Sequence, residues 1–159
     1  MTNTPQQKTV VVGVEGSGGS RTAIRLAAQE ARYRNAELIA VMTYSGERAL
    51  GAPAVRPLAT LRTADDERII AEAALRDAVV DALGDQAEKV QLRTILGLAG
   101  RKLVETAQRV NAQLIVLASR GSASMLLGTV SQYVLRKAPC PVLVVPEIAA
   151  VAPEGSYDA

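Results

Sequence analysis

Histidine is absent from this 159-residue chain, and so are phenylalanine and tryptophan. Without histidine neither a Ser-His-Asp triad nor a Cys-His nucleophile can be assembled, and His-containing metal sites are excluded with them. Cysteine occurs once, at Cys140. That rules out an internal disulfide and a cysteine cluster for zinc or iron–sulfur, and it fits a reducing compartment. The only aromatic residues are four tyrosines, a poor basis for a single-strand stacking platform. Charge of one sign is scarce too: the net is +2 with both signs dispersed, not the clustered basic footprint that nucleic acid requires. No apolar run approaches the roughly 18 residues of a membrane span. The polar opening Met1–Lys8 lacks the apolar stretch of a signal peptide. The expectation is a cytoplasmic protein with neither nucleic acid nor membrane as partner, and with no catalytic or metal-ligating residue to nominate.

What is present is aliphatic. Apolar residues make up 48% of the chain, enough for one domain of ordinary size to bury a sizeable core. That core must come from Val, Ile, Leu and Ala, the usual filling between a parallel sheet and its covering helices. Five short apolar runs punctuate the sequence: Thr9–Val14, Leu38–Tyr44, Val90–Leu96, Leu114–Ser119 and Val142–Val145. Val10-Val11-Val12 and Leu114-Ile115-Val116-Leu117 are continuously apolar, as strands buried on both faces are. Val90–Leu96 alternates instead, as a strand nearer an edge should.

Helical spacing fills the intervals. Ser20–Arg34 sets Ala23, Ile24, Ala27, Ala28 and Ala31 on one face, with Ser20 as candidate N-cap. Ala64–Leu83 repeats Ile69, Ile70, Ala73, Ala74, Val80 and Leu83, and Gly84 is a natural C-terminal stop. Gly100–Val110 carries Leu103, Val104 and Ala107. Thr129–Lys137 is shorter and is ended by Pro139 and Pro141. Strand and helix thus alternate, which predicts an open five-stranded parallel α/β sheet with helices on both faces and right-handed crossovers. Ser45–Thr63, with Gly46, Gly51, Pro53 and Pro57, is the longest connection, of a length usually tied to mobility or function. One domain is expected over 8–146, between a disordered N-terminus (1–7) and a disordered tail (147–159).

Two stretches could carry chemistry. The first is the Gly-rich turn Gly13-Val14-Glu15-Gly16-Ser17-Gly18-Gly19-Ser20, at the end of a strand, where open α/β sheets bind ligands. Its glycine spacing is that of a P-loop, but Gly19 stands where the phosphate-binding lysine belongs. Glu15 could hold a ribose hydroxyl or be a solvated surface carboxylate. The second stretch runs from Leu114 to Val145. Here a buried strand leads through a small-residue loop to a helix opening at Gly128-Thr129. Amides at a helix start, with the Thr129 and Ser131 hydroxyls beside them, suit an anion, and Arg120 could add a guanidinium. By spacing alone, a capped helix with a surface arginine explains the same residues.

The segment Leu114–Val145 resembles the C-terminal signature of the universal stress protein family. The most specific part is Gly128-Thr129-Val130-Ser131-Gln132-Tyr133-Val134-Leu135, followed by Ala138-Pro139-Cys140-Pro141-Val142-Leu143-Val144-Val145. Val11–Ser17 is similar to the family's opening strand and turn, and the order of elements agrees over about residues 8–146. The resemblance implies a Rossmann-like sheet, of the adenine nucleotide alpha hydrolase-like type, with strand order 3-2-1-4-5. In one branch of the family it implies ATP, with Mg, or AMP bound across strands one and four.

Carried onto this chain, the nucleotide-binding residues are Gly13, Val14, Glu15, Thr43, Ala118, Arg120, Gly121, Gly128, Thr129, Val130 and Ser131. The main chain of Thr43 would face adenine, and Glu15 would take the ribose hydroxyls. Gly121, Gly128, Thr129, Val130 and Ser131 would hold the phosphates. Three departures stand out. Ala118 occupies the first glycine position of the phosphate motif, and six residues separate Gly121 from Gly128 where that branch has nine. Glu15 stands in place of the usual Asp.

Family members typically dimerise through strand five, antiparallel to its mate. The resemblance therefore implies a homodimer through Pro141, Val142, Leu143, Val144, Val145 and Pro146; an open apolar edge invites such pairing in any case. Cys140, between two prolines, reads as a small buried spacer rather than a redox sensor, and Arg136-Lys137 complement a helix dipole. The expected function is a stress-response dimer that binds an adenine nucleotide as a regulatory ligand. A nucleotide-free scaffold is the alternative, and a slow ATP-hydrolysing enzyme a third reading.

Overall fold

The computed structural model describes residues 7–15, 19–45, 63–119 and 128–146. Its elements run β1 (Thr9–Gly13), α1 (Gly19–Arg34), β2 (Glu37–Tyr44), α2 (Ala64–Leu83), β3 (Val90–Leu96), α3 (Ala99–Arg109), β4 (Leu114–Ser119), α4 (Thr129–Lys137) and β5 (Val142–Pro146). The ends agree with the sequence-based expectation to within one residue. The exception in kind is a 3₁₀ turn, Gly84–Lys89, which the periodicity did not reveal. The five strands form one parallel sheet in the order β3-β2-β1-β4-β5. This is the doubly wound, Rossmann-like topology that the resemblance implied.

Alternation along each strand divides the core into two layers, because successive side chains point to opposite faces. Val10, Val12, Leu38, Ala40 and Met42 pack with the buried stripes of α1 and α2. Val11, Ile39, Val41, Ile115 and Leu117 pack with α3 and α4. β1 lies at the centre, with all five residues buried between β2 and β4. β3 and β5 are the two edges; as the alternation of Val90–Leu96 predicted, β3 is partly exposed along its length.

Two expectations are corrected. Ser20 is not the cap of α1, because the helix already begins at Gly19. Its buried hydroxyl reaches back into the turn, donating to the Glu15 carbonyl at 2.8 Å and accepting from the Glu15 N–H at 3.1 Å. The hydroxyl thereby ties both backbone groups of the partly buried Glu15, and with them the turn, to the start of α1. The second correction concerns α2, whose inward face is Ala71, Leu75, Val79 and Ala82. Ile69, Ile70 and Val80 are instead 56%, 46% and 52% exposed, and Ala74 and Leu83 only flank the core.

The rotation of α2 follows from its neighbours. Small residues at positions 71 and 82 let the helix approach both the sheet and α1, and Arg21 of α1 pairs with Asp81 on the outer flank. At its start Thr63 and Asp66 form a reciprocal capping box, a signal present in the sequence and not read there. At its end Gly84, at φ +56° and ψ −128°, donates its N–H to the Val80 carbonyl, a positive-φ stop that glycine adopts readily because it has no Cβ.

Candidate functional site

In a parallel sheet every strand ends on the same rim. β1 leads to α1 on one face, while β4 leads to α4 on the other, so the chain diverges between these two neighbours. Such a switch point leaves a crevice outside the carboxyl ends of the strands. Here the crevice is a cleft of about 330 Å³. The end of β1 contributes Gly13, Val14 and Glu15, and the end of β2 contributes Val41, Met42 and Thr43. Leu117 and Ala118 come from β4, Ala99 and Leu103 from α3, and Val130 and Ser131 from α4.

Each contribution has a local cause. Gly13 lies where β1 passes beneath two leucines: a Cβ there would stand 2.8 Å from Leu117 Cδ2 and 3.0 Å from Leu103 Cδ1. The Val14 N–H donates to the Val41 carbonyl at 2.8 Å. That bond carries the β1–β2 ladder one residue past the strand and aims Glu15 at the rim. The Ser20 hydroxyl then anchors both backbone groups of Glu15. On the opposite side α4 starts from Gly128, which has no side chain to cap it. First-turn amides have no intrahelical acceptor, and among the described residues no side chain caps those of Thr129, Val130 and Ser131, of which Val130 and Ser131 line the cleft.

The cleft therefore has a mixed character. Val41, Met42, Leu103 and Leu117 make an apolar floor. Among the described lining residues its polar groups are main-chain atoms, the hydroxyls of Thr43 and Ser131, and the Glu15 carboxylate. Among the described residues no group of three or more His, Cys, Asp or Glu could hold a metal ion, and no helix is long and apolar enough to cross a membrane.

Of the eleven residues nominated from the sequence, seven line the cleft: Gly13, Val14, Glu15, Thr43, Ala118, Val130 and Ser131. Gly128 and Thr129 open α4 beside it and are exposed, and they do not line it. Arg120 and Gly121 lie outside the described residues. The apolar floor and Ala99 were missed. The signal was available in the last residues of each strand run, which must reach the same rim once the sheet is parallel.

Away from the cleft, Cys140 is half-buried rather than fully buried. It packs at the margin of the α3–α4 layer, and burial pushes its thiol above the ordinary range, away from the reactive thiolate. Arg136 and Lys137 occupy the last turn of α4, as expected.

The model of the Universal stress protein family matches residues 7–146. A universal stress protein of Mycobacterium tuberculosis is 32% identical over 148 residues, covering 90% of this chain and 46% of that protein. This chain thus spans about half the length of the mycobacterial relatives it matches. A universal stress protein of Thermus aquaticus is 31% identical over 144 residues, covering 87% of this chain and 98% of its own. Among solved structures, a universal stress protein in complex with cAMP shares 33% identity at a TM-score of 0.63, covering 87% of this chain and 95% of that one. UspA from Lactobacillus plantarum shares 26% at 0.66, covering 88% and 98%. With the topology, the switch-point cleft and the Gly128–Val145 segment, these matches make the chain a member of the universal stress protein family.

Proposed function

We propose that the cleft binds an adenine nucleotide, ATP or AMP, with Mg accompanying ATP, and that occupancy rather than turnover is the output. The observation that carries this reading is the open cleft itself. At about 330 Å³ it falls within the span of small-molecule sites, roughly 300–1,000 Å³, and it is walled by apolar side chains with a few convergent polar groups. The complex of a 33% identical relative with cAMP supports the same ligand class. In this reading the main chain of Thr43 meets the base, Glu15 the ribose hydroxyls, and the start of α4 from Gly128 to Ser131 the phosphate. In this reading any hydrolysis is slow and incidental, since among the described lining residues the one candidate base, Glu15, is engaged by the ribose.

Thermal unfolding with and without AMP or Mg-ATP tests this. Ligand at a hundred times its dissociation constant stabilises the native state by about 2.7 kcal/mol, a rise of roughly 5–10 °C for a domain of this size. Thr129→Val combined with Ser131→Ala removes most of that rise. No rise at millimolar nucleotide contradicts the reading. It favours instead the scaffold alternative, to which Ala118 lends weight by adding a Cβ at the cleft wall.

The chain's wider role follows as part of the same proposal: a cytoplasmic stress-response homodimer, paired through Pro141–Pro146. The support is that among the described residues β5 pairs with β4 alone, so its other edge has no partner strand there, and Val142, Leu143 and Val144 are only partly buried. An unpaired apolar edge is a template for a second strand.

A further inference from the structure

Glycine within a helix costs stability relative to alanine, so Gly100, the second residue of α3, needs a physical reason. Backbone conformation does not supply one, since among the described glycines only Gly84 and Gly97 have positive φ. Packing does. Gly100 is buried, and a Cβ there would stand 3.0 Å from Tyr133 Cδ1, 3.1 Å from its Cβ and 3.2 Å from its Cγ. The bare Cα of α3 thus receives the root of a side chain from α4. Rotation of the tyrosine about χ1 moves Cγ and Cδ1 but leaves Cβ in place, because Cβ is fixed to the α4 backbone. A methyl group at position 100 is therefore met by α4 itself, and the two helices must part by a few tenths of an ångström.

That contact lies at the cleft end of both helices. Ala99 and Leu103 of α3 flank Gly100 in sequence, Val130 and Ser131 of α4 shortly precede Tyr133, and all four line the cleft. Close-packed interiors transmit a displacement rather than absorb it, and binding groups work only when held to within roughly 0.5 Å. Resting on the nucleotide reading above, we infer that Gly100 is a positioning residue for the ligand. It acts through Tyr133, and the absence of a side chain at position 100 sets the distance between the α3 wall and the α4 wall of the cleft.

Calorimetric titration with AMP of wild type, Gly100→Ala, Tyr133→Ala, the double variant and Gly84→Ala is the test, with a thermal melt of each. Gly84→Ala is the control: at φ +56° any side chain is strained, and the residue sits between α2 and the start of β3, at the rim opposite the cleft. Gly100→Ala binds AMP about fivefold more weakly or worse, although alanine favours the helix. Gly84→Ala melts lower yet keeps its affinity within about twofold, so affinity does not follow stability. Tyr133→Ala, which removes the ring from the contact, also binds more weakly, and this reads the same coupling from the α4 side if Gly100→Ala does not fold. In the double variant the loss is smaller than the product of the two single losses, as for residues that act on one another. Wild-type affinity in either single variant, or independent effects in the double variant, overturns the inference and leaves nucleotide binding intact. No binding by wild type up to millimolar AMP defeats the nucleotide reading itself, and this inference with it.

Discussion

A Cβ on Gly13 would stand 2.8 Å from Leu117 Cδ2, whereas one on Gly128 would meet nothing within 4 Å. The two glycines therefore serve different ends. Gly13 is required by packing, and Gly13→Ala should cost about 1–3 kcal/mol through overpacking, read as a lower denaturation midpoint in urea. Gly128 faces open space at the start of α4. Gly128→Ser should raise stability by a few tenths of a kcal/mol through capping, yet weaken AMP binding, because the new hydroxyl competes for the amides the phosphate would use. Equal affinity in the two proteins would move the phosphate elsewhere. This contrast also marks what could be read in advance. Gly13, Glu15 and Ser131 were legible because strand ends and helix starts advertise themselves by small and polar residues. Met42, Leu103 and Leu117 were not, since an apolar side chain lining a cleft looks the same in sequence as one filling a core.

At the scale of elements, α2 is the case where periodicity misled. Its length and both ends were legible, from the run Ala64–Leu83 and the glycine after it, but its inward face was not. Ile69, Ile70 and Val80 are its bulkiest aliphatic residues apart from Leu75, Val79 and Leu83, and bulk drew the stripe to the wrong side. The burial actually chosen, Ala71-Leu75-Val79-Ala82, is a narrow stripe of smaller average size that lets the helix settle against α1 and the sheet. Leu75, fully buried, should cost about 2–5 kcal/mol on substitution by alanine. Ile69→Lys and Val80→Lys should each change stability by no more than about 0.5 kcal/mol. Chemical denaturation of the three variants compares them directly; a large loss for either lysine variant would restore the original face. β3 shows the opposite outcome, because its alternation from Val90 to Leu96 announced an edge and it is one.

For the whole molecule, the alternation of strands and helices specified a parallel doubly wound sheet, and right-handed crossovers left few ways to arrange it. The order 3-2-1-4-5 came from family resemblance rather than from the pattern, and the structure has it. The same order puts β5 at an open edge, and the proposed dimer follows from there. Val144→Glu, which sets a charge on β5 against the same charge on its antiparallel mate, should weaken self-association at least tenfold. Sedimentation velocity would register this as a shift from twice the 16.7 kDa chain mass toward the monomer, and an undiminished dimer would relocate the interface. The claim on which the functional account turns is that the rim between β1 and β4 is where ligand binds. Amide chemical shifts followed by NMR during titration with AMP test it most directly. The account predicts the largest changes at Gly13, Glu15, Thr43, Ala118 and Ser131, with α2 and the outer strand β3 unmoved. Shifts concentrated on α2 and β3, or none at saturating nucleotide, would contradict it.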